Sequence, residues 1–501
     1  MQIILEVNQQ VSNMPTANIF PLSPQPPVLV ISILFGLLCF GIVNTVSHAA
    51  EDEPAWIAGD HHIHSRFSVG WDMTKVPPAP ILGGDAIYPI PMNALMARHF
   101  GLGWMVATDH GGPNHSHVSL ERTYPELQLS RELVPEVMQF FGMEFDTPGA
   151  DHSSLIVPNT HDEAEHLVSI ESQFSKREPW PVDPSWDTEP RMLEALQAMQ
   201  RLPEPPILIA HHPSRSATGA GAYGLVHPAE LRAWNNSAPG IAVGMEGSPG
   251  HQAGGLNPDG SANLKGARGA YGAYPTLGGF DQMTAVVGGF WDSMLGEGRD
   301  WWITANSDSH QHVSEGGTDF WPGEYSKTYV WADRNYAAIL DGIRGGRIFV
   351  TTGDLISELY VTATAGAQQA GIGGTLQVPA GSSVEITIRF LDPQVPNHHG
   401  DYPGVQRVDL IMGEIREHVT DVTTDSHPST KIVARFTEQD WRRVGAYNEI
   451  HYTLEELEAD IFIRVRGTNT NQLEPDLDTL GENPWDDLWF YSNPVRLRLP
   501  H

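Results

Sequence analysis

The sequence predicts an α/β barrel-type unit followed by an antiparallel β-sandwich. Three observations carry this expectation. From about residue 51 to 350, short apolar runs alternate with helical patterns, which implies parallel βαβ units. After about residue 353, period-two runs separated by Pro-, Gly- and Asn-rich turns dominate, which implies antiparallel strands in two layers. Nearly every run of the first part ends in a polar cluster of His and carboxylates, and in parallel barrels the C-terminal strand ends carry the active site.

Composition narrows the class. The 501 residues hold 29 basic and 61 acidic side chains, a net charge of -32, which disfavours nucleic-acid binding by bulk charge. An apolar fraction of 40%, with 14 Trp and 17 Phe, argues for a large buried core. The 49 Gly and 39 Pro imply many turns and loops. A single cysteine, Cys39, excludes disulfide scaffolds, cysteine zinc sites and thiol catalysis in the chain beyond it. With 23 His, any metal site must be built from imidazoles and carboxylates.

Taken in order, residues 1–50 read as a signal peptide or N-terminal anchor. An apolar run from Val28 to Val43 is followed by Ser47-His48-Ala49-Ala50, whose small residues suit a signal peptidase. The run is shorter than the roughly 20 residues of a membrane span, so cleavage near Ala49 is preferred and a periplasmic or secreted location is expected. Residues 51–352 form the expected barrel. Its strand candidates are Gly103–Ala107, Val137–Phe141, Ile207–Ala210, Ile241–Gly244 and Trp301–Thr304, with helices at Met92–Phe100, Glu189–Arg201 and Tyr336–Arg344. Gly- and Pro-rich blocks at 212–285 and 311–324 read as long loops over the catalytic face. The segment Gly342–Gly353 is the joint. Residues 353–501 then supply Leu359–Ala363, Ser383–Phe390, Val405–Met412, Lys431–Phe436, Ile461–Val465 and Val495–Leu499 as the strands of the sandwich.

Six clusters carry chemistry. The first is Asp60-His61-His62-Ile63-His64-Ser65, where spacing two on a strand puts His62 and His64 on one face. Then come Thr108-Asp109-His110, Gly142-Met143-Glu144, and Asp151-His152 leading into an apolar strand. The last two are Ala210-His211-His212-Pro213-Ser214-Arg215 and Asn306-Ser307-Asp308-Ser309-His310. Each alone is a weak signal. Their recurrence at successive strand ends predicts a metal site of N and O ligands, which favours Zn, Mn or Fe without separating them. Such a site suits hydrolysis.

The ordered motifs Asp-x-His-x-His-Ser, Thr-Asp-His, Gly-x-Glu, His-x-x-Leu-Ile, Ala-His-His-Pro and Ser-Asp-Ser-His resemble the PHP family, named for polymerase and histidinol phosphatase, over residues 58–312. The resemblance implies a distorted (β/α)7 TIM-like barrel, two or three divalent metal ions, and phosphoester hydrolysis by a metal-bound hydroxide. It assigns His62, His64, His110, Glu144, His152, His212, Asp308 and His310 as ligands, with Glu144 bridging. Family members place a further Asp or His soon after the first pair. Here the text runs Ser65-Arg-Phe-Ser-Val-Gly-Trp-Asp72, so Asp72 is the candidate and Asp85 the substitute. Glu246 matches a position that orients the site. The joint and Trp489-Phe-Tyr-Ser-Asn-Pro494 are similar to the exported branch that includes carbaryl hydrolase, which implies a carboxylic or carbamate ester as the alternative substrate.

Around the ligands, Asp109, His211, Arg215 and Glu246 are the candidate catalytic residues. Asp60 and Asp109 are expected to brace ligand histidines. Arg215 reads equally as a phosphate-binding fork or a rim salt bridge, and His211 as a pocket wall or packing residue. His115 and His117 read as solvated loop residues rather than proton donors, and Trp301-Trp302 as core. The resulting expectation is an exported hydrolase acting on a small-molecule ester, with no nucleic-acid partner and membrane contact only through an uncleaved leader. A non-catalytic barrel with a binding β-domain is the reading of a different class.

Overall fold

A computed structural model describes residues 53–271, 274–416 and 418–500. The leader call on residues 1–50 lies outside the described residues. Among those described, no helix is long and apolar enough to cross a membrane.

The fold is mixed α/β, built on one large mixed sheet. Its first part contains β1 (Ala55–Asp60), β4 (Trp104–Ala107), β5 (Met138–Asp146), β6 (His152–Ile156), β7 (Ile207–Ala210), β8 (Ala242–Ser248), β9 (Trp302–Ala305), β10 (Ser326–Ala332) and β11 (Ile348–Thr352). A short hairpin, β2 (Gly70–Asp72) and β3 (Ala79–Ile81), stands off between β1 and β4. In this part the spatial order is β11-β10-β1-β4-β5-β6-β7-β8-β9. The strands β1-β4-β5 and β7-β8-β9 are parallel, as the alternation with helices requires. Every residue of Ile207–Ala210 is buried, as expected where both faces of a parallel strand are covered.

From β10 to β9 three strand pairs break the expected parallel order, and β11 also pairs antiparallel with β10. Only residues 147–151 separate β5 from β6, too few for a crossover helix, so β6 returns antiparallel to β5 and also pairs antiparallel with β7. Likewise β10 pairs antiparallel with β1. β9 ends the ladder as an edge strand. A bridge from Ile63 to Ser309, and the Thr328 hydroxyl bonded to both Ala305 N and O (2.8 and 2.7 Å), tie it beside β1 and β10.

Local sequence explains the helices. Tyr336–Arg344 starts where the Asn335 side chain accepts from Ala338 N (2.8 Å), buries Ile339, Leu340 and Ile343 on one face, and stops before Gly345-Gly346. Helices Ile90–His99 and Glu189–Gln200 both carry proline in their first positions, where its missing N–H is no loss. The 212–285 block is less open than expected, because helix Pro228–Ser237 and β8 lie within it. Trp301 and Trp302 are buried core residues.

The second part contributes β12 (Glu358–Ala365), β13 (Gln368–Ala370), β14 (Thr375–Gln377), β15 (Val384–Leu391), β16 (Arg407–Glu414), β17 (Lys431–Phe436), β18 (Arg442–Val444), β19 (Tyr447–Leu454), β20 (Ile461–Thr468), β21 (Trp489–Ser492) and β22 (Val495–Arg498). All six period-two runs are strands. β13-β12-β15-β19-β18 form a separate five-stranded sheet, with alternate residues such as Ile386, Ile388 and Phe390 buried. They share one apolar cluster with Leu410, Ile463 and Val465 of β16 and β20.

The expected boundary at 352/353 falls at the end of β11, a strand that joins both parts. β11 pairs with β10 on one side and β21 on the other, so the large sheet continues into β20, β22 and β14. From Pro54 onward the chain forms one compact unit. Across the seam, Arg464 of β20 binds Asp292 of helix Phe290–Gly296 with two hydrogen bonds (2.7 and 2.8 Å), both side chains fully buried and the guanidinium resting on Trp291. Removing one partner strands a buried charge, which typically costs about 3–5 kcal/mol. Asp292→Ala is therefore expected to lower the stability of both parts together, in a single cooperative transition followed by tryptophan fluorescence and circular dichroism. Two separate transitions, only one of them shifted, would contradict a shared unit.

Candidate metal centre

The site forms where strand ends and their loops converge, and the odd direction of β6 is what completes it. Because β6 runs back along β5, its first residue, His152, lies opposite Asp146 at the end of β5, two residues past Glu144. β7 is followed by His211 and His212, and β9 by Asp308 and His310. His62 and His64 lie just beyond β1 rather than on it, held extended by the bridge of Ile63 to Ser309 and by Ile63 N donating to Thr108 Oγ1 (2.7 Å).

Glu144 stands at the centre. Its Oε1 lies 3.3 Å from His62 Nε2, 3.0 Å from His152 Nδ1, 2.9 Å from His211 Nδ1 and 3.3 Å from His212 Nε2. Its Oε2 lies 2.6 Å from His110 Nδ1 and 3.6 Å from His64 Nε2. This carboxylate is 1% exposed. Burial opposes its charge, yet His110, His152 and His62 hold its pKa well below the ordinary carboxylate range. Beside it, His62 Nε2, His64 Nε2 and Asp308 Oδ1 form a triangle with all three edges 3.0 Å. A tetrahedral site with bonds of roughly 2.0 Å has edges of about 3.3 Å, close to this spacing.

In five of the imidazoles the second nitrogen is turned to a polar partner. His62 Nδ1 donates to Glu246 Oε1 (2.7 Å), and His310 Nδ1 donates to the Asp308 carbonyl (2.9 Å). His64 Nδ1 meets Ser68 Oγ at 3.0 Å. His152 Nε2 and His212 Nδ1 face Asp146 and Asp151 at 3.4 Å each. Such partners fix the tautomer and aim the other nitrogen, as they do for metal-binding histidines. Several inward atoms are then left without a hydrogen bond. His110 Nδ1, Glu144 Oε2, His152 Nδ1 and Asp308 Oδ1 are buried and unpartnered, although the first two are only 2.6 Å apart. Close nitrogen and oxygen donors that fail to bond each other are what a shared cation would leave behind. Burial disfavours a proton on His62, but Asp308, Glu246 and Glu144 raise its pKa well above the ordinary value. That proton and a metal ion are alternative sources of the positive charge these carboxylates require. Several groups of three or four such residues could hold an ion, including His62-His64-Asp308, His110-Glu144-His152 and His64-Asp85-His110-His310.

Backbone strain concentrates here. Among the described residues, seven non-glycine residues have φ in the left-handed region, and His212, His251 and Asp308 are three of them. Gly250 packs on Asp308 so closely that a Cβ would collide with it.

The structure thus gathers His62, His64, His110, Glu144, His152, His212, Asp308 and His310. Asp72 does not join them. It lies on the hairpin strand β2, its carboxylate bonded only to Thr74 N and Oγ1 in an Asx turn open to solvent. Asp85 reaches the cluster instead, with Oδ2 at 3.4 Å from His310 Nε2 and 3.8 Å from His110 Nε2.

Three of the four candidate catalytic residues are braces. Asp109 accepts from Ser65 N and Oγ (2.5 and 2.8 Å), and burial pushes its pKa up to about 6. Glu246 is fully buried and spends both oxygens on His62 Nδ1 and His212 N. His211 is buried, stacked on His62 with ring centres 3.6 Å apart, and bonded to Glu144 and Ser154. Arg215 alone has a partly open side chain, paired with Asp151 at 3.3 Å. Asp60 braces as expected, accepting from His62 N and Ser307 N.

Sequence reasoning left His251 outside the ligand set. Its Nε2 lies 3.0 Å from Asp308 Oδ2 and its Nδ1 2.5 Å from Asp319 Oδ1, the carboxylate–histidine pairing that positions ligand imidazoles. The signal was present as a histidine five residues past Glu246, but Asp319 is distant in sequence. His117 is solvated, as expected. His115 is not, because it is buried between Glu171 Oε1 (2.7 Å) and the Phe67 carbonyl (3.0 Å).

Burial opposes the charge on His115, but Glu171 and the Phe67 carbonyl raise its pKa to about 9 from 6.5. A raised folded pKa stabilises the fold fully below the unfolded value and loses that stabilisation as pH rises through the folded one. Glu171→Gln is therefore expected to cost about 2 kcal/mol near pH 6, and the gap from the wild type should close as pH passes about 9. Urea denaturation at pH 6, 8 and 10 checks this, and a pH-independent gap would contradict it. Neither the models of known protein families nor the curated proteins give a match to this chain.

Proposed function

We propose that this chain is an exported, metal-dependent hydrolase of ester bonds with the architecture of the PHP family, its first part a distorted (β/α)7 barrel and its second a β-sandwich. The observation that carries the reading is Glu144, a buried carboxylate ringed by His62, His64, His110, His152, His211 and His212. Taken with Asp308, His310 and Asp85, the donor set accommodates two or three divalent cations of the Zn, Mn or Fe class. Such ions, when bound, supply Lewis-acid polarisation of an ester and acidify water.

The chain's own residues do the rest. Glu246, Asp146, Asp151 and Ser68 fix the imidazole orientations. His211 and Ser154 wall the floor of the site and exclude water from beneath Glu144. Arg215 stands at the open side, where its guanidinium meets a substrate oxygen. A phosphoester is the preferred substrate, because several adjacent cation positions suit an in-line displacement. One observation favours a carboxylic or carbamate ester as the second reading: Asp151 already neutralises Arg215, leaving it less charge for a phosphate.

The test is a pair of rates on the chain reconstituted with Zn, Mn or Fe, using an aryl phosphate and an aryl carboxylic or carbamate ester. The expected result is metal-dependent phosphate hydrolysis that falls by about 100-fold or more in a His62→Ala, His64→Ala double variant. Turnover of the neutral ester alone would transfer the assignment to the second reading. The absence of any variant-sensitive rate would overturn both.

A further inference from the structure

A second cavity lies at the other end of β1 from the histidine cluster. Trp56 stands at the start of this strand, and His62 comes six positions later, roughly 20 Å away at about 3.3 Å per extended residue. The cavity holds about 420 Å³, within the range of small-molecule sites. Both parts of the chain build it. Trp56 comes from β1, its register partner Trp331 from β10, and Arg347 from the position just before β11. Tyr360 comes from β12, and Gly371 and Gly374 from the turn between β13 and β14.

Three half-buried rings line one side. Trp56, Trp331 and Tyr360 meet pairwise edge to face, with centres 5.4, 5.7 and 6.2 Å apart. Their positions are fixed. Phe349 packs edge to face against Trp56 at 4.7 Å, and Glu358 Oε2 accepts from the Tyr360 hydroxyl at 2.6 Å. Opposite them the lining is glycine: a Cβ at Gly371 would meet only the Val361 carbonyl, at 3.9 Å.

One charged side chain lines the cavity. Arg347 Nε donates to the Trp331 carbonyl (3.3 Å), and among the described residues no carboxylate pairs with its guanidinium. No Asp or Glu is in the lining, although acids outnumber bases by 61 to 29 in the chain. An unpaired guanidinium beside aromatic walls suits an anion carried on a flat apolar ring. A sugar would need many polar partners for its hydroxyls. The lining side chains offer only Arg347, Thr362 and the indole N–H groups, since the Tyr360 hydroxyl is engaged by Glu358.

We propose that this cavity is a binding site for an aromatic carboxylate, its ring system held among Trp56, Trp331 and Tyr360 and its carboxylate on Arg347. The site stands independently of the cation reading.

The experiment is calorimetric titration of the full chain with naphthoate, naphthamide and glucuronate. It is repeated with Arg347→Gln, Gly371→Leu and the His62→Ala, His64→Ala double variant, and thermal melting accompanies each. Gly371→Leu fills the cavity without touching the aromatic wall, so it carries the comparison if Arg347→Gln fails to fold. The expected result is that one naphthoate binds per chain. Its affinity falls by about tenfold or more in Arg347→Gln, and the neutral amide binds the wild type weaker by a similar factor. Binding disappears in Gly371→Leu with melting unchanged, and persists in the histidine double variant. Glucuronate binds about tenfold more weakly than naphthoate, or less. No binding of naphthoate, equal affinity for the amide, tighter binding of glucuronate, undiminished binding in Gly371→Leu, or loss of binding in the histidine double variant would each overturn the proposal.

Discussion

Everything around the site answers one constraint: a carboxylate, Glu144, has been taken out of water. An isolated buried charge is prohibitively expensive, so it must be met by positive charge or by hydrogen bonds. Glu144 is met by six imidazoles, and the positive charge it requires comes either from protons, as the raised pKa of His62 shows, or from a cation bound among them. A protein that needed only to neutralise a glutamate would use one arginine. An array of imidazoles, most of them held by the outer nitrogen and turned inward, forms groups that could hold a cation.

The scaffold serves this arrangement through the short return from β5 to β6. A crossover helix there would have delivered His152 to the far end of the sheet. The five-residue turn instead delivers it beside Glu144, and Lys176 N and Arg177 secure Asp146 at the strand end. The second part of the chain is no appendage to this plan. Through β11 it extends the same sheet, and through Arg268, bonded to Asp487 and Tyr325, it pins the loop that follows Glu246 and His251.

Much of this was legible in the sequence because it is written in short range. His62 and His64, His211 and His212, and Asp308 and His310 are close in sequence and stay close in space. The helices at Glu189 and Tyr336 announce themselves by periodicity and by Pro, Asn and Gly at their ends. The alternating runs after residue 353 became strands for the same reason. What escaped was long range. Pro148-Gly149 marks a turn, but nothing local says that β6 turns back rather than crossing over. Asp72 was the nearer candidate in sequence, yet the hairpin folds so that Asp85 is nearer in space. Asp319 reaches His251 across 68 residues, and β21 reaches β11 across more than a hundred. Such pairings are decided by packing, which no local pattern records.

The central proposal is that Glu144 and the imidazoles around it would hold divalent cations. Anomalous diffraction from crystals of the Mn- or Zn-loaded protein tests it most directly. The account predicts a strong peak within bonding distance of each Glu144 oxygen, about 2.0–2.3 Å, one of them inside the triangle of His62, His64 and Asp308. A loaded crystal with no anomalous peak at Glu144, its imidazoles instead protonated around it, would contradict the account.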